Sequence, residues 1–241
     1  MKPDPLSKIP LFEHLSPRER SKIAKEVVET HYRKDEFIFR EGDPASCFHI
    51  LKAGTVKCVK TSSEGKQVTL KVLMPGDLFC FYAAVLNNGA HPGCAQPMGD
   101  VSVLSLSKDA YYDLIRRNPD AALQVIQYLG SRLHEAQETA KVLALNPAEQ
   151  RLAALLVKLA DRAGLREGNH VRLTVRLTRQ DLADMVGMTV ETATRIMGRF
   201  KRDKLVSGTA KSLIIRNLAK LQQRATTVPC VAGKRAHASN S

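Results

Sequence analysis

Between residues 10 and 115, short apolar runs alternate with turns, which is typical of a β-rich domain. The runs FIF, CFHIL, TVKCV, VTLKVL and VSVLSL are separated by glycine-bearing turns at EGDP, KAG, SSEGK and MPGD, and a short helix in SPRERSKIAKEVV precedes them. In VTLKVL, the residues Val68, Leu70 and Val72 alternate with polar ones, which predicts a strand that buries these three side chains on one face. The segment is therefore expected to fold as a sandwich or a rolled barrel.

The hydrophobic period changes at Pro119. Apolar side chains then recur at alternating steps of four and three residues over about three heptads, which predicts one long helix with a heptad seam. The seam positions are Ala122, Ile126, Leu129, Leu133, Ala136, Ala140 and Leu143. The small alanines would let a second helix approach closely, which favours a parallel homodimer, while the alternative is that the stripe packs against its own domain. Pro147 is expected to end the helix.

The chain beyond Pro147 reads as helices followed by a small hairpin, the order of a winged helix-turn-helix. AEQRLAALLVKLADRAG is amphipathic, HVRLTVRL alternates like a strand, and LVSGTA and SLIIRN are strand candidates. Between them, two helices can close over one core, with Ala183 small at their contact and Gly187 supplying the positive φ of the turn. The apolar positions of that core are Leu182, Val186, Met188, Ala193 and Ile196.

The second of these helices begins near Thr189 and would present its exposed N-terminal face to a major groove. Arg195 can donate a bidentate pair to guanine and Glu191 can accept from cytosine N4. The alternative is an ordinary intrahelical ion pair between these two residues. The predicted base-reading residues are Val190, Glu191, Thr194 and Arg195. The predicted phosphate contacts are Thr178, Arg179, Gln180, Thr192, Arg199 and Lys211.

The charge is concentrated in the second half of the chain. The 37 Lys and Arg and 24 Asp and Glu divide as 19 and 17 in residues 1–146, 16 and 7 in residues 147–225, and 2 and 0 thereafter, so the excess is +2, +9 and +2. A unit with an excess of +9 suits a polyanion such as DNA, although a solvated basic surface would give the same count.

Several classes of protein are disfavoured by the sequence. No window approaches the roughly 18 apolar residues of a membrane span, and the opening residues hold no apolar export segment, so we expect a cytoplasmic protein with no membrane partner. Five cysteines at irregular spacing, without a C-x-x-C pair, indicate neither a disulfide framework nor a metal site. The absence of a phosphate-binding glycine loop and of a nucleophile elbow argues against an enzyme.

Residues 10–222 resemble the CRP/FNR superfamily of bacterial transcription regulators, through the turns EGDPA, LKAGTV and MPGDLF, the long helix, and LTRQDLADMVGMTVETATRIMGRFKRDKLV. The resemblance implies an α+β chain with a β-roll sensor domain of the cyclic-nucleotide-binding, jelly-roll type in residues 1–118. It implies a dimerisation helix in 119–146 and a winged helix-turn-helix in 147–225, before a tail, 226–241, expected to be disordered. It also implies a homodimer that binds double-stranded DNA at a palindromic promoter site, with RNA polymerase as a further partner.

One short motif separates the branches of this superfamily. Members that respond to cyclic AMP carry Arg-Glu-Thr where this chain has Val190, Glu191 and Thr192, whereas the FNR-like branch, responsive to oxygen and nitrogen oxides, carries Val-Glu-Thr followed by Ser and Arg. Here Thr194 replaces that serine. The resemblance to the FNR-like branch implies a palindrome similar to TTGAT-N4-ATCAA, with Arg195 and Glu191 on the G·C pair.

Two candidate signals, cyclic AMP and an iron-sulfur cluster, are disfavoured by the sequence. A cyclic nucleotide needs an arginine for its phosphate, but residues 72–107 contain no Lys or Arg, and Asp77 stands where the family usually has the ribose-binding glutamate, so cyclic AMP is not expected. The family's iron-sulfur cluster needs an N-terminal group of cysteines, whereas the first cysteine here is Cys47, so no iron-sulfur cluster is expected.

Haem or a redox reaction remains as a candidate signal. GDLFCFY resembles the segment GDMFCMH of a carbon-monoxide-sensing haem member of the family, which makes Cys80 a candidate axial ligand. Tyr82 stands where that member has a histidine, and His91, with Cys94, could substitute for it. The alternatives are that Cys80 is a buried apolar residue, or that it forms a redox pair with Cys94.

A third class of function stays open beside the DNA-binding regulator and the enzyme. A cyclic-nucleotide-type ligand-binding module could signal through protein contacts alone, without specific DNA binding. Such a module would not bind a palindrome, and its function would not require a charge excess of +9 in residues 147–225.

Overall fold

The computed structural model describes residues 6, 12, 15–64, 67–79, 89–209 and 212–226. In this part of the chain, two antiparallel sheets form the N-terminal half, with strand orders β1-β7-β2-β5 and β4-β3-β6. Their strands are β1 Val27–Tyr32, β2 Cys47–Ala53, β3 Val56–Thr61, β4 Gln67–Leu73, β5 Leu78–Phe79, β6 Cys94–Pro97 and β7 Val101–Ser107. The predicted β-roll is confirmed.

The roll is held together by apolar side chains that meet between its two sheets. Strand β7 lies between β1 and β2, and it is buried over most of its length. Leu51 and Val103 from the first sheet pack with Val56 and Leu73 from the second, and each of these side chains is at most 1% exposed. Burial of this kind contributes about 25 cal/mol for each Å² of apolar surface, which makes it the main stabilising term of the roll.

Two short segments differ from the sequence prediction. The N-terminal helix α1 spans Pro17–Ile23, with Ser16 and Glu19 forming a capping box, and it ends before the two valines that open β1. Those valines belong to the sheet because their β-branched side chains suit an extended strand. The run FIF contributes only an isolated bridge, from Phe39 to Ala95, instead of a strand.

Helix α2, Lys108–Arg117, leads into the long helix α3, Pro119–Leu145, which runs for 27 residues. Ala121 and Val125 of α3 are buried against the roll. Six of the seven seam positions are exposed and Ala122 is half-buried, so the chain itself does not cover this stripe. Ile126 is 64% and Leu133 63% exposed.

The C-terminal part contains helices and a four-stranded antiparallel sheet of order β10-β11-β9-β8. Its elements are α4 Ala148–Ala163, β8 Gly164–Glu167, β9 His170–Leu173, α5 Arg179–Met185, α6 Val190–Arg202, β10 Val206–Thr209, β11 Ser212–Ile215 and α7 Leu218–Thr226. Leu152 and Leu156 of α4 meet Ile196 and Phe200 of α6 in one fully buried core. The predicted winged helix-turn-helix is confirmed, although HVRLTVRL forms a strand only in its first half.

The prediction for VTLKVL is wrong at Leu70 and Thr69, although Val72 is buried as predicted. Leu70 is 61% exposed, whereas Thr69 is 3% exposed. Two features account for the difference. Strand β4 is at the edge of its sheet and pairs with β3 across a register shift between Cys58 and Val59. In addition, α5 lies over Thr69, so a polar residue is buried by a contact that periodicity cannot register.

Candidate DNA interface

The first helix of the helix-turn-helix, α5, begins at a reciprocal cap. The Thr178 Oγ1 accepts from the backbone N–H of Asp181 at 3.1 Å, and the Asp181 carboxylate accepts from the backbone N–H of Thr178 at 2.9 Å. This capping box satisfies two of the backbone donors that a helix start leaves free. The cap fixes where α5 begins, and therefore where Arg179 and Gln180 stand.

The turn between the two helices depends on Gly187. Its φ is +60°, as the sequence predicts, and a side chain there would be strained. The Met188 N–H donates to the Ala183 carbonyl at 3.0 Å, which closes the turn. Val186 is 4% exposed, while Met188 is only half-buried. The turn thus sets the angle at which the second helix leaves the first.

Helix α6 has one buried and one open face. Ala193 and Ile196 are at most 1% exposed, and Ile196 packs in the core with residues of α4 and α5. The opposite face carries the predicted base-reading side chains. Glu191, Thr194 and Arg195 are exposed there, and Val190 is half-buried at the helix start. The structure therefore brings these predicted readers together on one accessible surface.

The two charged residues among the predicted base readers, Glu191 and Arg195, are separate from each other. Within the described residues, no salt bridge of 4.0 Å or less joins Glu191 to Arg195, so the intrahelical pair considered from the sequence is not formed. Hydrogen bonds from the backbone N–H of Glu191 itself and from the Thr189 hydroxyl lower the pKa of Glu191. Glu191 is therefore an acceptor at neutral pH, and Arg195 is a donor with an open approach.

The predicted phosphate contacts fall into two groups. Thr178 and Gln180 are exposed at the start of α5, and Thr192 is half-buried in the first turn of α6. Arg179 is half-buried, and this burial lowers its pKa. The Gln180 Nε2 donates to Asp184 at 2.6 Å, which holds the amide in a fixed position. These residues surround the N-terminal ends of the two helices, where a phosphate would be met by backbone N–H groups.

Arg199 lies apart from that group. The Arg199 guanidinium is 3.2 Å from a carboxylate oxygen of Glu149, which also binds Arg224 at 2.8 Å. Arg199 is thus part of a charged network that joins α4, α6 and α7. Lys211 is outside the described residues.

Sequence reasoning did not find Arg151, which connects the long helix to the turn. Its guanidinium donates to the Leu143 carbonyl at 3.1 Å and to the Gly187 carbonyl at 3.0 Å. A cation is favourable at a helix C-terminus because the last carbonyls lack partners within the helix. The only sequence signal was an arginine close behind a helix end. Arg151 joins the end of α3 to the helix-turn-helix.

Two of the candidate sensor residues, His91 and Cys94, lie in or beside the roll. Cys80, with its predicted haem ligation and its pairing with Cys94, is outside the described residues. His91 is 3% exposed and stacks on Phe39 with ring centroids 3.7 Å apart, and its Nδ1 has no hydrogen-bond partner among the described residues. Cys94 is half-buried and accepts from the Glu41 N–H at 3.3 Å.

A second histidine, which the sequence did not single out, lies close to His91. The rings of His49 and His91 are 6.1 Å apart, and the His49 Nδ1 is 2.9 Å from the Ser105 Oγ. Burial lowers the pKa of His49 to about 4, and the neighbouring His91 makes a smaller contribution in the same direction. Both rings contact Phe39, so this corner of the roll contains a neutral aromatic cluster at physiological pH.

A large cavity of about 940 Å³ opens between the roll, α3 and the DNA-binding region. Its walls are mostly apolar, with Phe79 and Tyr128 among them, and Lys71, Arg132 and Glu135 add charge. Four seam positions, Leu129, Ala136, Ala140 and Leu143, also line it. A second α3 packed on the seam would therefore cover part of the opening.

Two family models match the chain in the order of its two halves. The cyclic nucleotide-binding domain matches residues 29–118, and the Crp-like helix-turn-helix domain matches residues 150–224. Among curated proteins, an anaerobic regulatory protein of Aggregatibacter actinomycetemcomitans is 30% identical over 189 residues, which are 78% of this chain and 73% of the relative.

Solved structures agree with this organisation. FixK2 from Bradyrhizobium japonicum has a TM-score of 0.72 at 23% identity, covering 84% of this chain and 98% of its own. A CooA variant from Carboxydothermus hydrogenoformans also has a TM-score of 0.72, at 25% identity, covering 90% of this chain and 95% of its own.

The fold and the interface define a transcription regulator that binds DNA through a helix-turn-helix. The chain belongs to the CRP/FNR superfamily, a family of transcription regulators and not of enzymes. In the described residues, none of the helices has the length and apolar character needed to cross a bilayer.

Proposed function

We propose that this protein is a homodimer that binds a TTGAT-N4-ATCAA-like palindrome through α6, under the control of a signal received by the roll. The observation that supports this most strongly is the open face of α6, where Glu191, Thr194 and Arg195 are exposed on a unit whose charge excess is +9. The division at residues 118 and 146 into roll, dimer helix and DNA-binding unit is part of the proposal. Helix α7 extends the last unit to Thr226, one residue past the predicted bound, and the predicted tail beyond it is outside the described residues. RNA polymerase is the further partner that the family implies at a promoter.

Base reading is assigned to four side chains of α6. Arg195 would donate to O6 and N7 of guanine, and Glu191 would accept from the N4 of cytosine. Thr194 and Val190 would offer methyl groups to thymine. The phosphates would be met by Thr178, Arg179, Gln180, Thr192, Arg199 and Lys211. Each bidentate base contact contributes about 1–3 kcal/mol of discrimination.

The test of base reading starts from duplexes selected by the wild-type protein from a random pool. We expect a palindrome to emerge, and Arg195→Ala to lose its preference at the guanine while retaining salt-dependent binding to unrelated DNA. Lys220→Ala, an exposed cation on α7, is the matched control and should keep the preference. Selection of no palindrome, or an unchanged preference in Arg195→Ala, would contradict the assignment to α6.

The dimer is assigned to the exposed seam of α3. Leu133 is 63% exposed in the single chain, and a charge there would be buried between two helices. We expect Leu133→Glu to shift the protein to a monomer in sedimentation velocity and to weaken binding to the two-half-site palindrome. Gln137→Glu, an exposed position off the seam, controls for the added charge and should leave the dimer intact.

The signal is assigned to the roll and its cavity. The cavity holds about 940 Å³. Residues 72–107, where the family carries its phosphate-binding arginine, contain no Lys or Arg, so cyclic AMP is not the proposed ligand. The relative named as an anaerobic regulatory protein supports a gas or redox signal. A Soret band in protein purified anaerobically, shifted by carbon monoxide or nitric oxide and altered in His91→Ala or Cys80→Ala, would identify haem. A featureless spectrum from DNA-competent protein would exclude it.

The alternative is a ligand-binding module that acts through protein contacts without specific DNA binding. The match of residues 29–118 to the cyclic nucleotide-binding domain favours a ligand function as such. This alternative predicts that the random pool yields no palindrome, so the same selection separates it from the main proposal.

A further inference from the structure

The edge of the roll makes a direct polar contact with the helix-turn-helix. The backbone N–H of Thr69 in β4 donates to Asp184 at 3.1 Å, and its hydroxyl donates to Asp181 at 3.2 Å. The two residues that share the hydroxyl contact are almost fully buried, Thr69 at 3% and Asp181 at 4% exposed. These bonds join residues more than a hundred positions apart in the chain.

The chemistry of the contact makes it specific. An edge strand leaves N–H groups without a strand partner, and here a carboxylate accepts one of them. A buried carboxylate needs donors to offset the loss of water. Asp181 obtains them from Thr69 and Thr178, with the Lys57 ammonium 3.9 Å away. Removing one donor would leave a buried charge with one partner fewer.

Apolar and ionic contacts extend the same junction. Val72 of β4 and Met74, which directly follows this strand, belong to the buried cluster that forms the core of the DNA-binding region. Beside them, the Arg162 guanidinium of α4 binds both carboxylate oxygens of Asp77 at 2.6 Å. Sensor and reader thus share a packed surface.

The junction leaves the reading surface open. Glu191, Thr194 and Arg195 remain exposed while β4 lies on α5. Asp184, which accepts from Thr69, also accepts from Gln180, one of the proposed phosphate contacts. If β4 moved away, two carboxylates would lose donors next to the phosphate-binding end of α5, and their charge would repel DNA.

We propose that Thr69, Lys57, Asp181 and Asp184 form a clasp through which the sensor holds the helix-turn-helix in its DNA-binding orientation. The clasp residues of the roll do not contact DNA themselves. They position α5, which is the element that would contact DNA. This inference rests on the proposed function, because it requires specific DNA binding as its output. By linkage, if the clasp favours DNA binding, DNA binding must favour the clasp to the same extent.

The first test alters the β4 side alone, in the full-length protein. Thr69→Val keeps the shape of the side chain and removes the hydroxyl donor, whereas Thr69→Ser retains it. We expect Thr69→Val to weaken binding to the selected palindrome about tenfold, the ratio given by about 1.4 kcal/mol. Thr69→Ser should bind like the wild type. Thr61→Val makes the same change at an exposed position of the same hairpin and should have no effect.

The second test follows the clasp itself by amide hydrogen exchange at Thr69. We expect the exchange of this amide to slow when the palindromic duplex is added to wild-type protein, since the bond to Asp184 is then stabilised. Faster exchange with DNA would show that the clasp opens on binding, which would overturn the proposal.

The outcomes distinguish a failure of the clasp from a failure of the proposed DNA binding. If wild-type protein binds the palindrome and Thr69→Val binds it equally well, the clasp is refuted and the proposed function stands. If wild-type protein selects no palindrome, the proposed function fails and the clasp fails with it. A tenfold loss that Thr69→Ser and Thr61→Val do not share supports both.

Discussion

Acid should destabilise the roll through His49. This side chain packs beside both Phe39 and Phe79, with ring centroids 5.6 and 5.4 Å away, and its Nδ1 is paired with Ser105 on the neighbouring strand. The informative change is His49→Phe combined with Ser105→Ala. The double variant removes both hydrogen-bond partners, so that no buried polar group is left without a partner. It also places at position 49 an aromatic ring that cannot be protonated.

The magnitude follows from the pKa. Burial lowers the pKa of His49 from 6.5 to about 4 in the folded protein, whereas the unfolded chain keeps the ordinary value. Between these two values the unfolded state binds a proton that the folded state does not, so stability falls as pH falls from 6.5 to about 4. Each pKa unit corresponds to about 1.36 kcal/mol, which gives an effect of about 3 kcal/mol at the acid end of this window.

The assay is urea unfolding at a series of pH values from neutral to acid, with the wild type and the double variant compared at each pH. We expect the free energy of unfolding to decline less steeply with acid in the double variant, with the difference appearing below pH 6.5 and growing toward pH 4. His31→Gln is the control, because His31 is 77% exposed on the outside of the roll. Equal pH dependence in the wild type and the double variant would refute this account of His49.

Three further changes test the DNA-binding region by thermal and urea unfolding. Thr178→Ala removes the cap of α5 and should cost about 0.5–2 kcal/mol, whereas Thr178→Ser retains the capping hydroxyl and should cost less. Phe200→Ala empties a site that is fully buried and should cost about 3–5 kcal/mol, with Phe200→Leu costing less. Arg151→Met removes the donors that join Leu143 to Gly187 and should cost about 2 kcal/mol as well as weaken DNA binding, unlike Arg116→Met at an exposed site. Unchanged stability in any of the three would contradict the contact assigned to it.

The elements that the sequence predicts best are those fixed by neighbouring residues. The seam of α3, the turn at Gly187 and the buried positions Ala193 and Ile196 all follow from spacing within one or two helical turns. The open face of α6 is then a consequence, since residues opposite the buried ones must point outward. For this reason the open face of α6 could be predicted from the sequence alone.

The errors in the roll arise from contacts between distant residues. Leu70 fits the alternating pattern of a buried strand face, yet it is exposed, because the buried side of β4 is set by α5 and by the register shift at Cys58. The polar Thr69 is buried against α5, where its hydroxyl donates to Asp181, 112 positions away in sequence. His49 was missed for the same reason, because its environment comes from Phe39, Phe79 and His91, which lie on separate segments.

The cavity and the clasp meet on strand β4, which suggests how a signal would reach the DNA. Val72 and Leu73 line the cavity, as do Met185 and Val186 at the end of α5, so a ligand there contacts both sides of the junction that Thr69 closes. A ligand that raises the DNA-binding state from 1% to 99% of the population must bind that state more tightly than the other state by about 5.5 kcal/mol. One clasp bond, at about 1.4 kcal/mol, supplies only part of this. The remainder must come from apolar packing in the cavity and from the α3 seam, whose residues line the same space, so the signal should act on the dimer and the clasp together.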